Sequence, residues 1–270
     1  MSRNRLRLVA LIGALALVAA VPAAASAKPT ITMSGSTSVA PLATLLAKKY
    51  VNVCGHCVNF KILQGGSDVG VADVAAGRVT IGNSSRDPKP SDPGGLVFHK
   101  IAHDAICLIT NPTNNLASLD QAGVQAIFGG DVRNWSGVPG ATVNGTIDVT
   151  VRTAASGTQD AFQKIFMGSK KIFSGASQKA SNGLVEQTVQ RDDFAIGYVS
   201  LAFDNGTNPV AYKGVPCTLR NAKSGQYGGL RNFYMVTRGP AQGRTRKFIG
   251  WVRHSRAAAR ITATQWVPLG

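Results

Sequence analysis

The sequence predicts an α/β protein of two lobes, each a central β-sheet flanked by helices, joined by two crossover strands. Short β-like stretches alternate with segments of helical periodicity along nearly the whole chain, the rhythm of a mostly parallel sheet. About 243 residues follow the leader, more than one core usually holds. No internal repeat and no low-complexity linker interrupts them, so the two halves are expected to be fused without a flexible joint.

The first 27 residues stand outside this fold. A basic "MSRNRLR" precedes an apolar "LVALIGALALVAAV", and "AASA" ends in an A-x-A pattern, which together predict a secretory signal peptide cut after Ala27. No Cys follows the cut, so a bacterial lipoprotein anchor is not expected, and no later apolar run reaches the roughly 18 residues that span a bilayer. The mature chain, residues 28–270, is expected in the periplasm or outside the cell.

"PTITMSG" reads as a strand ending in Gly35. "SVAPLATLLAKKY" repeats Val39, Leu42, Leu45, Leu46 and Tyr50 at helical spacing. "CVNFKILQGG", "VGVADVAAGRV" and "TIGNSSRDP" continue as strand, helix and strand. "DAICLITNP" is an apolar strand closed by Pro112, and "SLDQAGVQAIFGG" a helix with Ser118 as its expected cap. "GTIDVTVRTAASGTQDAFQKIF" gives a strand, a loop and a helix; "GLVEQTVQRD" is helical; "FAIGYVSL" and "NPVAYKGVPC" are strands. The tail from Gly239 reads as two closing helices. Crossings are expected near residues 105–112 and 198–210, placing 28–108 and 205–270 in lobe 1 and 109–204 in lobe 2.

The formal charge is +16, or +13 once Arg3, Arg5 and Arg7 leave with the leader. Such a surface raises the encounter rate of anions. Nucleic acid is not expected, because no recognition module and no basic-aromatic interleaving is present. Much of the charge lies late, at Arg231, Arg238, Arg244, Arg246, Lys247, Arg253, Arg256 and Arg260. It reads as a solvated helix face, with contact to a wall or membrane surface as the alternative.

Export makes disulfides plausible for the four cysteines. The expected pairs are Cys54–Cys57, within "CGHC", and Cys107–Cys217, although four Cys allow three connectivities. A redox or zinc role for "CGHC" is the weaker reading, since His56 is the only further ligand nearby.

Four hydroxyl-rich runs follow predicted strands: "GSTS" (35–38), "GGSD" (65–68), "GNSSR" (82–86) and "RTAASGT" (152–158). Three of them open predicted helices. Each alone reads as an N-cap or turn. Together they place free N–H groups, hydroxyls and the guanidiniums of Arg86 and Arg152 at the carboxyl ends of strands, where open α/β sheets bind ligands and where oxyanions suit helix N-termini. Catalysis is not expected: a hydrolase using Ser156 would need a base, no G-x-S-x-G elbow occurs, and His99 and His103 read as loop or strand-edge residues. No metal set and no cofactor motif is present.

In this order "GSTSVAPL", "QGGSDVGV", "IGNSSR" and "RTAASGTQDAF", with "IGYVSL" and "SGQY…RNFYMVT", resemble the phosphate-binding proteins of bacterial phosphate ABC transporters, over Ile31 to about Trp266. The resemblance implies a periplasmic-binding-protein fold, acting as a monomer that hands inorganic phosphate to a membrane permease. It also implies ligand residues: Thr37 and Ser38 from the first helix, Ser67, then Arg152, and Ser156, Gly157 and Thr158 at a helix start in the other lobe. Ser85 stands where some members carry an Asp that accepts the proton of the anion. Phosphate selectivity over sulfate or arsenate is therefore open, with Asp68 or Asp87 as substitute acceptors. Arg86 is either a ligand contact or the partner of an acid at the cleft rim.

Overall fold

A computed structural model describes residues 28–269; the signal-peptide expectation for residues 1–27 lies outside them. The first strands and helices follow the predicted rhythm: β1 (Thr30–Gly35), α1 (Ala40–Val53), β2 (Asn59–Ile62), α2 (Ser67–Ala75) and β3 (Ile81–Ser84). β1 pairs in parallel with β2 on one side and β3 on the other, the outcome expected when helices cross between strands. β4 (Leu96–Thr110) is 15 residues long and apolar from Ala105 to Ile109.

Beyond it come β5 (Ser118–Leu119), α3 (Gln121–Gly129), β6 (Asp148–Arg152) and α4 (Gly157–Phe162), which runs on as a π-helical turn over Gln163–Met167. β7 (Ser177–Lys179), α5 (Asn182–Arg191), β8 (Ala195–Ser200), β9 (Asn208–Tyr212) and α6 (Leu219–Lys223) complete this part. β10 (Leu230–Arg238), α7 (Gly243–His254) and α8 (Arg256–Thr262) close the chain. The strand order is β2-β1-β3-β10-β4-β8-β6-β7, with β9 on β4 and β5.

The length of β4 makes it a crossover. Its first ten residues pair with β10, and Ile106–Thr110 pair with β8 and β9. Two cores flank it. Met33, Leu42, Leu46, Ile81, Phe233, Met235, Phe248 and Trp266 fill the first lobe. Leu108, Phe128, Trp135, Phe162, Phe166, Tyr198, Val210 and Tyr227 fill the second.

β4 passes from the first core to the second at about Ala105–Ile106. Val210, Tyr212, Cys217 and Tyr227 pack in the second core, so residues 205–229, expected in the first lobe, lie with the second. The Cys107–Cys217 bridge ties this segment to β4, and the Tyr227 hydroxyl donates to the Ile106 carbonyl (2.7 Å). The chain returns at Gly229–Leu230. The second bridge is Cys54–Cys57.

Two local expectations also change, at Ser118 and Arg231. Ser118 does not cap α3; Asp120 does, accepting from Gly123 N at 2.7 Å, because Leu119 is drawn into the core and Ser118 pairs with Ala211 in the sheet. His99 and His103 lie in β4, not in a loop; His99 has β10 on one side alone, the strand-edge position expected, and His103 also bridges Val267. Arg231 belongs to β10 and is only 6% exposed, unlike the solvated helical arginines with which it was grouped.

Candidate oxyanion-binding site

The turn after β1 shows why two hydroxyls of "GSTS" face the interlobe cleft. Ser36 Oγ accepts from the N–H groups of Ser38 (3.2 Å) and Val39 (3.3 Å), which starts α1. Ser36 therefore does the capping, and the hydroxyls of Thr37 and Ser38 reach the other lobe. Ser38 Oγ lies 3.0 Å from Thr158 Oγ1, and Thr37 Oγ1 accepts from Arg152 Nη2 at 3.2 Å.

Ser67, the first residue of α2, accepts from Ser85 N at 2.9 Å, and Ser85 Oγ accepts from Ser36 Oγ at 2.8 Å. On the second lobe Ser156 caps α4, accepting from the N–H groups of Thr158 and Gln159 (3.1 and 3.3 Å). Gly157 touches the first lobe so closely that a Cβ there would lie 2.8 Å from Ser85 Oγ and 2.9 Å from Arg86 N, and nearer still to Ser67 Oγ. The lobes also meet through backbone, with Asp68 N donating to the Ala155 carbonyl (3.1 Å).

Arg152 ends β6 and is 2% exposed. Carbonyls of Lys179 (3.1 Å, from Nε) and Ala180 (2.9 Å, from Nη2) hold its guanidinium against the cluster, and Nη1 donates to Thr158 Oγ1 (3.5 Å). No carboxylate pairs with it among the described residues. Burial pulls its pKa from the usual arginine value down to about 10, so it carries its charge at neutral pH.

Three participants were not read from the sequence. Arg231 Nη2 donates to Ser38 Oγ (2.9 Å), and its Nη1 lies 3.4 Å from Ser85 Oγ. Asp104 on β4 accepts from Arg231 Nε and Nη2 (3.0 and 2.7 Å) and from Ser200 Oγ (2.9 Å). Burial pushes the Asp104 carboxyl up and the Arg231 guanidinium down, and the contact between them opposes both. Asn182 donates to Thr37 Oγ1 (3.1 Å) and Ser38 Oγ (2.8 Å) from the start of α5. A signal for Arg231 existed: it stands at i−2 and i−4 from Phe233 and Met235, on the core-facing side of a strand.

Of the residues the sequence singled out, Thr37, Ser38, Ser67, Ser85, Arg152, Ser156, Gly157 and Thr158 come together, all buried. Arg86 is engaged otherwise. Its Nε donates to Asp68 (2.6 Å), Nη1 and Nη2 donate to Asp92 (2.9 and 2.6 Å), and Nη1 also reaches the Asp87 carbonyl. The substitute acceptors are likewise occupied: Asp68 by Arg86, Asp87 by Asn232 and Tyr234. A cavity of about 260 Å³, lined by Arg86, His103, Asp160, Lys164 and Arg231 among others, opens beside the cluster. Two guanidiniums against one carboxylate, with hydroxyl and amide donors from both lobes, make a buried environment that favours an oxyanion over any cation.

The family model of the PBP superfamily domain matches residues 20–255. The phosphate-binding protein PstS of Bacillus subtilis is 24% identical, over all of this chain and 95% of its own. A structure from Clostridium perfringens, assigned as a phosphate ABC transporter substrate-binding protein with bound phosphate, is 29% identical with a TM-score of 0.83, over 89% of this chain and all of that one. An ABC-type phosphate transport receptor from Vibrio cholerae shares the fold, with a TM-score of 0.71 and 24% identity over 88% of this chain and all of that one.

Proposed function

The chain belongs to the PBP superfamily, and from that premise we propose that it is an exported solute-binding protein that closes its lobes on inorganic phosphate and delivers it to an ABC importer. The observation that carries this reading is the buried convergence of Thr37, Ser38, Ser67 and Ser85 from one lobe with Arg152, Ser156, Gly157 and Thr158 from the other. Arg152 supplies the charge-assisted bonds. The hydroxyls and the N–H groups at the starts of α1, α2 and α4 supply neutral ones. Arg86 contributes indirectly, by fixing Asp68 and Asp92 at the cleft rim. Hydrogen bonds to a charged group contribute about 1.5–3 kcal/mol each, so several of them reach the roughly 8 kcal/mol of a micromolar complex after association costs.

The relatives' names support phosphate, and the four donor runs support an oxyanion. Binding without chemistry fits the same residues, because Ser156 Oγ accepts from two N–H groups and has no base among its partners. One observation favours a second reading, a receptor for a broader set of oxyanions. Ser85 is a hydroxyl, and the acids around it are held by Arg86, Arg231, Asn232 and Tyr234. Titration calorimetry on anion-stripped protein tests both readings. Heat on adding phosphate is expected, and none at millimolar phosphate would refute the first. Sulfate and arsenate run beside it test the second, with measurable sulfate affinity expected.

A further inference from the structure

The excess positive charge is not spread over the molecule. Residues 28–105 with 230–270, which form the first lobe, carry sixteen Lys and Arg against five acids, whereas residues 106–229 carry ten against eight. From Leu230 onward there are eight cations and no acid. Six of the eight, Arg244, Arg246, Lys247, Arg253, Arg256 and Arg260, lie exposed on α7 and α8, and none forms an ion pair among the described residues.

The helices segregate their faces. α7 buries Phe248, Ile249 and Val252 against the sheet and turns Arg246, Lys247, Arg253 and His254 outward. α8 buries Ala258 and Thr262 and turns Arg256 and Arg260 outward. Both pack beside α1, where Tyr50 meets Phe248 and Trp251. On the outer side of α1, Leu45, Lys49 and Val53 stand in one i, i+4, i+8 row next to Lys48. Leu45 is 43% and Val53 52% exposed, two of the few large apolar side chains that reach solvent.

We propose that the face formed by α1, α7 and α8 docks on an anionic lipid surface. Charge complementarity selects an anion of extended area, since cations on two helices face outward together with no internal counter-charge. The Leu45–Lys49–Val53 row selects lipid over a soluble polyanion, because apolar side chains among cations gain from an interface that has both headgroup charge and acyl chains. Each cation near such a surface contributes roughly fivefold to the partition.

The test is co-sedimentation of residues 28–270 with vesicles of phosphatidylcholine alone or with about 30% phosphatidylglycerol, at low salt and at 1 M NaCl. The expected result is at least tenfold stronger partition onto the anionic vesicles and its loss in 1 M NaCl, where the screening length falls to about 3 Å. The variant Arg246→Glu/Lys247→Glu/Arg253→Glu should lose at least tenfold, and Leu45→Ser/Val53→Ser a few-fold. Urea midpoints like that of the parent serve as the folding control, so the outcome does not depend on phosphate binding. Equal partition onto both vesicles, partition onto neither, or full partition by the charge-reversed variant overturns the proposal. An unchanged partition of Leu45→Ser/Val53→Ser overturns the lipid assignment in favour of a general polyanion surface.

Discussion

Gly157 sits where a methyl group would separate the lobes. Its carbon faces Ser67, Ser85 and the Arg86 amide within contact distance, and its φ is not in the left-handed region, so alanine is permitted by the backbone and forbidden by the neighbouring lobe. Gly157→Ala should therefore leave the urea midpoint of the anion-free protein nearly unchanged while lowering phosphate affinity at least tenfold by calorimetry. Arg152 acts by charge and by its planar fork together. Arg152→Lys keeps the charge and loses the paired donors, for an expected loss of about tenfold or more in affinity. Burial has brought the acid constant of Arg152 down to about 10. An anion binds the protonated form, so affinity should fall as pH rises through about 10, and a titration series from pH 8 to 11 reads it.

The strands β4 and β10 are pinned to each other by one ion pair. Arg231 and Asp104 have side chains 3% and 0% exposed, with N–O contact at 2.7 Å. Asp104→Ala leaves a buried guanidinium without its counter-ion, a change that costs about 3–5 kcal/mol, measurable as a lower urea midpoint. The loop after β3 is held in a comparable way by Arg86. Burial raises the Asp92 carboxyl, but the Arg86 guanidinium and the Lys89 N–H outweigh it and hold the group below its ordinary value. A carboxyl lowered on folding stabilises above its unfolded pKa of about 3.9, and that contribution is lost as pH falls through the folded value. The difference in melting temperature between the parent and Asp92→Asn should accordingly be largest near pH 6 and shrink toward pH 3.

Across the whole molecule two bridges restrain the chain to different degrees. Cys107–Cys217 spans 110 residues and Cys54–Cys57 only 3. A loop of about 100 residues loses enough unfolded-state entropy to stabilise by roughly 4–5 kcal/mol, and a four-residue loop by far less. Cys107→Ala/Cys217→Ala should lower the urea midpoint clearly more than Cys54→Ala/Cys57→Ala. The long bridge also fastens residues 205–229 to the second lobe. Closure joins the lobes through contacts at the cleft rim as well, where Lys89 Nζ of the first lobe meets Asp160 Oδ1 of the second at 3.1 Å.

Local pattern alone predicted the α/β character and the four donor runs, and the family resemblance singled out Thr37, Ser38, Ser67, Ser85, Arg152, Ser156, Gly157 and Thr158 within them. Strand ends rich in Ser, Gly and Thr show themselves because caps and anion donors use the same N–H chemistry over a few consecutive residues. Long-range packing decided the rest. Asp104, Asn182 and Arg231 join the cluster from positions up to 193 residues away in sequence, where no spacing rule reaches. Arg231 looked like one of eight surface cations until the pairing of β10 with β4 buried it beside Asp104. Arg86 could have faced ligand or acid, and the placement of Asp68 and Asp92 gave it to the acids. The return of the chain at Gly229–Leu230, and not at 198–210, depends on which core receives Val210, Tyr212 and Tyr227. Apolar periodicity says that a face is buried; only the tertiary structure says against what.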